Sequence, residues 1–236
     1  MASRQDKKAN IGVPEPTIRR MPTYLNLVKE LDEKGVVYVS APQISQRLNI
    51  DSTQVVKDLS HIQSFGKPRV GYPVAALREC LQCCLGYNRR REAFLAGVGA
   101  LGTAIMQYAG FSDNSMRIVA AFDTDREKIG KDVAGIPVFH LNRFRDLSSR
   151  LHIPIGIITT PAAVAQEVAD MMVGWGVKAI WNFAPVALQV PPHVILQDTH
   201  IYANLAVILN KLDTAEKQAA CPLNKEKETK IIKINL

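Results

Sequence analysis

Ala93-Phe94-Leu95-Ala96-Gly97-Val98-Gly99-Ala100-Leu101-Gly102 is the stretch on which the fold turns. Four apolar residues form a short buried strand, they run straight into Gly-x-Gly-x-x-Gly, and Thr103 to Tyr108 continue with helical character. In a strand–turn–helix of this kind the first glycine permits the tight turn. The second lets the backbone approach a pyrophosphate, and the third lets the helix pack on the strand. The helix N-terminus then offers free N–H groups and a positive dipole end to phosphates. Gly97, Val98, Gly99, Ala100, Leu101 and Gly102 are therefore the candidate phosphate loop.

Downstream, a second strand over residues 117–122 ends at Asp123, 21 residues beyond Gly102. A carboxylate there would accept hydrogen bonds from the adenosine ribose hydroxyls, which favours NAD over NADP. Arg126 and Lys128 follow closely and keep the 2′-phosphate open. Residues 136–139 give another strand, 142–151 a helix, and 155–158 a core strand ending at Thr159-Thr160-Pro161. A helix from Ala162 to about Val173 precedes a strand and exit loop over Ala179–Pro185. The alternation predicts a doubly wound parallel sheet, an α/β fold whose ligands sit at the carboxyl ends of strands. Thr159, Thr160, Pro161, Asn182 and Phe183 are then candidates for the nicotinamide half, with a plain turn or core role as the alternative for each. After residues 194–197 comes an apolar helix, roughly Ile201 to Leu212, in which Tyr202, Leu205, Ile208 and Leu209 need burial, on their own sheet or on a partner subunit. The tail from Asp213 is mostly polar and is expected to be mobile, with Ile231-Ile232-Lys233-Ile234 able to pair as an edge strand.

Upstream, residues 1–16 read as a polar arm. Ile18, Met21, Leu25, Val28 and Leu31 recur at helical spacing until Gly35, and Val36-Val37-Tyr38-Val39 is a short β-like run. Ala41-Pro42 opens a second helix, and a third starts at Asp51 or Ser52, either a good N-cap. The third helix turns Val55, Leu59 and Ile62 inward and shows Thr53, Gln54, Lys57 and His61 outward. A Gly-flanked basic hairpin follows over Phe65–Tyr72, carrying Lys67 and Arg69. Three helices, a tight turn between the last two and a basic hairpin predict a winged helix-turn-helix. Its third helix would suit the major groove and its hairpin the phosphates or minor groove. A helical packing module is the alternative. One more helix spans residues 74–86, and composition shifts near residue 88. The expected division is 1–88 for this domain, 89–198 for the Rossmann domain, 199–213 for the C-terminal helix and 214–236 for the tail.

The charge agrees with that division. Residues 1–91 carry 15 Lys and Arg against 8 Asp and Glu, and residues 92–236 carry 14 against 14, so the whole net charge of +7 belongs to the N-terminal part. A polyanion partner for that part explains the asymmetry; a solvated basic surface is the alternative. No apolar run reaches the roughly 18 residues of a membrane span, and the N-terminus lacks the apolar stretch of a secretory signal, so no membrane partner and a cytoplasmic location are expected. Cys80, Cys83 and Cys84 lack the second pair or nearby His of a zinc site, and no metal is expected. As residues of a helix with Leu77 and Leu81, they read as buried reduced thiols, with a redox or metal role the alternative.

The chain resembles the Rex family of redox-sensing transcriptional repressors from about Val13 to Leu212. The resemblance is carried by Pro14-Glu15, Arg20-Met21-Pro22-Thr23-Tyr24-Leu25, Lys57-Asp58-Leu59-Ser60, Arg69-Val70-Gly71-Tyr72, Gly97 through Gly102, Ala121-Phe122-Asp123, Ile136-Pro137-Val138 and Trp181-Asn182-Phe183-Ala184-Pro185. It implies a homodimer with a winged-helix reader of double-stranded operator DNA, a Rossmann domain for NADH and NAD+, and a C-terminal helix swapped into the partner. It also implies repression relieved by NADH, with Tyr108 in the switch. DNA-contacting residues on this basis and on the helix reading are Arg20, Ser52, Thr53, Gln54, Lys57, Ser60, His61, Lys67 and Arg69. Three places depart. Relatives often carry Arg where Asn26 stands and an acid near His200, so an Arg–carboxylate latch gives way here to neutral hydrogen bonds or a pH-sensitive His. Val56 stands where many relatives place a basic residue.

A small NAD-dependent dehydrogenase with a basic extension is the rival reading. Hydride transfer needs a general acid beside the nicotinamide, usually His, Tyr or Lys; His61 belongs to the DNA-reading helix, and His140, His152, His193 and His200 lack a neighbouring carboxylate motif. Residues 92–236 also leave little room for a substrate domain, so an enzyme is not expected. A ligand-free interaction protein is a third reading.

Overall fold

The structure, a computed structural model, describes residues 12–62, 66–113 and 115–220. The chain divides into two compact units, one up to Arg90 and one from Arg91.

In the first unit, helix α1 (Glu15–Glu33) starts two residues before the expected Thr17. Pro14 and Pro16 account for this: proline is pre-set for a helix's first turn, where its missing N–H costs nothing. Met21, Tyr24, Leu25, Val28 and Leu31 form its buried face. Strand β1 (Tyr38–Val39) leads to helix α2 (Ala41–Leu48), where Ser40 and Gln43 close a reciprocal capping box. Asn49, left-handed at φ 52°, makes the tight turn. Asp51 is the N-cap of α3 (Ser52–Ser60), its Oδ1 accepting from Thr53 N at 2.8 Å and Gln54 N at 3.1 Å. Val55, Leu59 and Ile62 are buried as their spacing predicts. A bridge between Lys67 and Gly71 closes the hairpin, and strand β2 (Tyr72–Pro73) pairs antiparallel with β1 before helix α4 (Val74–Cys84). This is a winged helix-turn-helix; Phe65 of the hairpin lies outside the described residues. Cys80 and Cys84 pack partly buried at the edge of this core, where burial first of all pushes both thiols up. Cys83 is exposed, against the expected burial, because it falls off the Leu77–Leu81 face.

The second unit is built on a seven-stranded sheet. Strand β3 (Arg91–Ala96) passes through the phosphate loop into helix α5 (Ala100–Gln107), followed by the short helix α6 (Gly110–Asp113) and strand β4 (Met116–Asp123). Strand β6 (Ile136–His140) is the one expected over residues 136–139, and it pairs antiparallel with the two-residue strand β5 (Asp132–Val133), which the alternation did not announce. Helix α7 (Phe144–Leu151), strand β7 (Ile155–Ile158), helix α8 (Ala162–Gly174), strand β8 (Ala179–Asn182) and strand β9 (Ile195–Asp198) follow. The order is β5-β6-β4-β3-β7-β8-β9, parallel except for β5. Leaving β5 aside, this is the 3-2-1-4-5-6 order of a doubly wound Rossmann sheet, with its reversal between β3 and β7. Period-two alternation sends Phe94 and Ala96 to one face, against Phe122, Phe144 and the α8 residues, and Leu95 to the other, against Ile105.

Helix α9 (Ile201–Ala220) continues seven residues past the expected end at 213. Asp213 to Ala220 is polar but consists mostly of good helix formers with no glycine or proline, so polarity marked an exposed surface rather than a helix end. The remaining tail, with Cys221 and Ile231–Ile234, lies outside the described residues.

Candidate functional site

A cleft of about 660 Å³ opens at the carboxyl ends of β3 and β7, where the sheet reverses. Gly97 takes φ +99°, and a Cβ there would stand 2.8 Å from the Thr159 backbone. A Cβ on Gly102 would stand 2.0 Å from the Gly97 carbonyl oxygen. Those two glycines are required by the fold itself. Gly99 is not: a Cβ on it would meet nothing within 4 Å, and its φ of −81° suits any residue. The space beside Gly99 belongs to the cleft, at the start of a helix with no side-chain cap.

Thr159 seals the junction, its Oγ1 donating to the carbonyl oxygens of Gly97 at 2.6 Å or Ala96 at 3.0 Å. Thr160 does the opposite. Its Oγ1 is buried in the cleft wall and has no hydrogen-bond partner among the described residues. A buried hydroxyl left unpaired is destabilising, so this atom is a polar group in want of a partner.

Asp123 ends β4 at the cleft. Its Oδ2 accepts from Val98 N at 2.7 Å, and its Oδ1 accepts from Thr124 N at 2.8 Å and Asp125 N at 2.9 Å. Burial pushes this carboxyl up, but the N–H groups and the Lys128 charge outweigh it and hold the pKa below the usual range. Lys128 Nζ lies 3.5 Å from Asp123 and 3.3 Å from Asp125, so its charge is already shared between two carboxylates.

Of the predicted residues, Gly97, Gly99, Leu101, Asp123, Lys128, Thr159, Thr160, Pro161 and Phe183 line the cleft. Val98 contributes its N–H to Asp123, Ala100 opens α5, and Gly102 packs helix on strand. Asn182 does not face the cleft. Its amide is fully buried, Nδ2 donating to Val186 O at 2.9 Å and to Asp198 Oδ1 at 2.8 Å while Oδ1 accepts from Ala184 N. It staples the exit loop, because the amide carries the donors and acceptor that a sharp turn leaves wanting. Tyr108 is also absent from this cleft. It is 62% exposed and meets Phe111 edge to face, the start of an aromatic row through Trp181 to Phe183. Sequence reasoning missed Thr124, Leu141, Val164, Glu167, Val168 and Pro185 as lining residues. Thr124, Leu141 and Pro185 each follow a strand's carboxyl end and were within reach of the strand-end rule; the three α8 residues, Val164, Glu167 and Val168, carry no sequence signal. Among the histidines, none lines this cleft, and His200 lines a neighbouring one with Tyr202 and Phe183.

In the first unit Thr53, Lys57, Ser60, His61, Lys67 and Arg69 are exposed and Ser52 is partly so. Arg69 sits at the hairpin tip with φ 66°. Lys67 Nζ stands 5.7 Å from the Tyr38 ring centroid. Arg20 and Gln54 depart from the predicted surface: both are drawn onto Asp58, which is fully buried. Arg20 grips it with Nε at 2.6 Å and Nη2 at 2.7 Å, and Gln54 Nε2 donates at 2.8 Å. A buried carboxylate demands partners, and these are the long donors within reach.

A helix-turn-helix with an exposed polar stripe, joined to a Rossmann unit whose glycine loop leaves room for phosphates, defines a nucleotide-binding protein of the DNA-reading class. Two family models match, one described as a CoA binding domain over residues 88–186 and one as a putative DNA-binding protein N-terminus over residues 12–60. The redox-sensing transcriptional repressor Rex of Bacteroides thetaiotaomicron is 45% identical over 204 residues, covering 86% of this chain and 93% of that one. The protein of the same name from Treponema denticola is 40% identical over 83% of this chain and 94% of its own. A crystal structure of RSP with β-NAD+ and operator DNA superposes with a TM-score of 0.82 at 31% identity, covering 92% of this chain and 97% of that one. RSP with β-NADH gives 0.78 over 88% and 97%. The chain belongs to the Rex family of redox-sensing transcriptional repressors.

Proposed function

We propose that this chain is a homodimeric repressor that binds double-stranded operator DNA through α3 and the hairpin, and that NADH bound in the Rossmann cleft releases it. The unpartnered Thr160 hydroxyl and the open face of Gly99, both in the wall of one cleft, carry the nucleotide half of this reading. The N-terminus of α5 and Gly99 would hold the pyrophosphate, Asp123 the adenosine ribose, and Thr160, Pro161 and Phe183 the nicotinamide end. Lys128, shared by two carboxylates, is poorly placed to attract a 2′-phosphate, which favours NAD(H) over NADP(H). The relative RSP, solved with β-NAD+ and operator DNA and with β-NADH, supports both ligands and the link between them.

The domain roles follow: residues 1–88 read DNA, 89–198 hold the nucleotide, and the helix after 199 joins two subunits. Base reading falls to the exposed stripe of Thr53 and Lys57, with Ser52, Ser60, His61, Lys67 and Arg69 positioning the phosphates. No catalysis belongs to this reading: the charged groups lining the cleft are Asp123, Lys128 and Glu167, and Lys128, the one of the usual general-acid type, is already engaged by Asp123 and Asp125. No helix among the described residues is long and apolar enough to cross a membrane, in keeping with a repressor working in the cytoplasm.

Selecting duplexes from a random pool with the full chain, with and without NADH, tests both halves together. Enrichment of one motif, lost when NADH is present and kept with coenzyme A, supports the reading. Absence of any enriched motif overturns it.

A further inference from the structure

Asp58 lies on the proposed DNA-reading helix, is fully buried, and is engaged by four side chains. From α1, Thr17 Oγ1 donates to Oδ1 at 3.0 Å, the Arg20 guanidinium binds both oxygens, and Tyr24 OH donates to Oδ2 at 2.7 Å. From α3 itself, Gln54 donates one turn earlier. Five hydrogen bonds saturate a carboxylate, which has about four lone-pair sites. As a device for stability alone this is a poor choice, since well-packed apolar residues commonly serve a buried site as well or better. What the cluster does supply is direction. The planar arginine fork on a carboxylate fixes both distance and rotation, where apolar packing would tolerate small rolls of the helix.

That rotation decides what α3 displays. Residues advance by about 100° around a helix, so turning Asp58 onto α1 sets the outward stripe of Thr53, Lys57 and Ser60, which recurs at spacings of four and three. The same contact ties up the donors of two long, partly exposed side chains, Arg20 and Gln54, which would otherwise be free to reach bases indiscriminately. The geometry points to Asp58 as a positioning residue for DNA recognition, which locks the rotation of α3 on α1 and withholds Arg20 and Gln54 from the bases. This rests on the DNA-reading role proposed above, and it assigns specificity to a residue that never touches DNA.

Fluorescence anisotropy of the full-length protein on the selected duplex and on a shuffled duplex of equal length tests it. Asp58→Asn keeps the shape, loses the charge and frees Arg20. The expected result is at least about a tenfold loss on the selected duplex with the shuffled duplex held within about twofold, so that the discrimination ratio collapses. Tyr24→Phe keeps the arginine fork and removes one hydrogen bond, and should lower the ratio by about two- to fivefold even if Asp58→Asn folds poorly. Equal losses on both duplexes, in step with a lowered melting temperature, mean that the cluster only holds the fold, and they overturn the inference. So does an unchanged ratio in both variants. A wild-type chain that prefers no duplex overturns the DNA-reading role and the inference together, whereas a wild-type preference kept by both variants sinks the inference alone.

Discussion

Gly99 and Gly102 stand three residues apart in one loop, and they fail in different ways when given a methyl group. At Gly102 the new Cβ collides with the Gly97 carbonyl, a backbone atom that cannot give way. Gly102→Ala should therefore lower the melting temperature by an amount equivalent to about 3 kcal/mol or more. At Gly99 the methyl group enters open cleft, so Gly99→Ala should melt like the wild type and bind NADH at least about tenfold more weakly by calorimetry. Asp123→Ala should also weaken NADH binding; an unchanged titration removes Asp123 from the site. Asp58 has a pH signature. Burial favours its neutral form, but the bonds from Arg20, Tyr24, Gln54 and Thr17 win and hold its pKa at about 2. A carboxyl lowered on folding stabilises fully above its unfolded pKa and loses that contribution as pH falls toward the folded value. Melting curves between pH 7 and pH 3 should thus show an acid loss of stability in the wild type that is smaller in Asp58→Asn. The glycines and Asp123 were legible because each answers to a spacing rule tied to one chemical task. Asn182 and Arg20 were not, since an amide or guanidinium reads the same in sequence whether it faces a ligand or a buried partner in the fold.

Helix α9 shows what an element can reveal before its partner is seen. Tyr202, Leu205, Ile208, Leu209 and Leu212 are all at least 48% exposed in the single chain, Tyr202 reaching 72%. Large exposed apolar side chains in a contiguous run on a helix mark an interaction surface. If α9 joins two subunits, Leu205→Glu combined with Leu209→Glu should convert the dimer to a monomer in size-exclusion chromatography with light scattering, while leaving the melting of the winged-helix unit alone. A dimer that survives both charges places the interface elsewhere. Most elements were legible from period and punctuation: the α3 stripe, the glycine-bounded hairpin and the alternating Rossmann strands. Strand β5 escaped, although its partner β6 did not, because a two-residue strand offers too little periodicity. The end of α9 escaped because polar helix formers resemble a tail when no glycine marks the stop.

At the scale of the molecule, charge and fold divide at nearly the same place. The net charge of +7 lies wholly within residues 1–91, while the nucleotide unit balances to zero. A phosphate-binding surface built this way predicts DNA affinity that falls steeply with salt, and Lys67→Ala, at a residue assigned to the phosphates, should reduce the slope of log affinity against log salt by about one. Control by NADH then requires only that nucleotide and DNA favour different states of the dimer, each opposing the other by the same coupling free energy. The most direct test titrates labelled selected duplex, bound to the full chain, with NADH and separately with NAD+, following anisotropy. Release by micromolar NADH, and not by an equal concentration of NAD+, is the result this account predicts. Tight DNA binding that is indifferent to both nucleotides would contradict it.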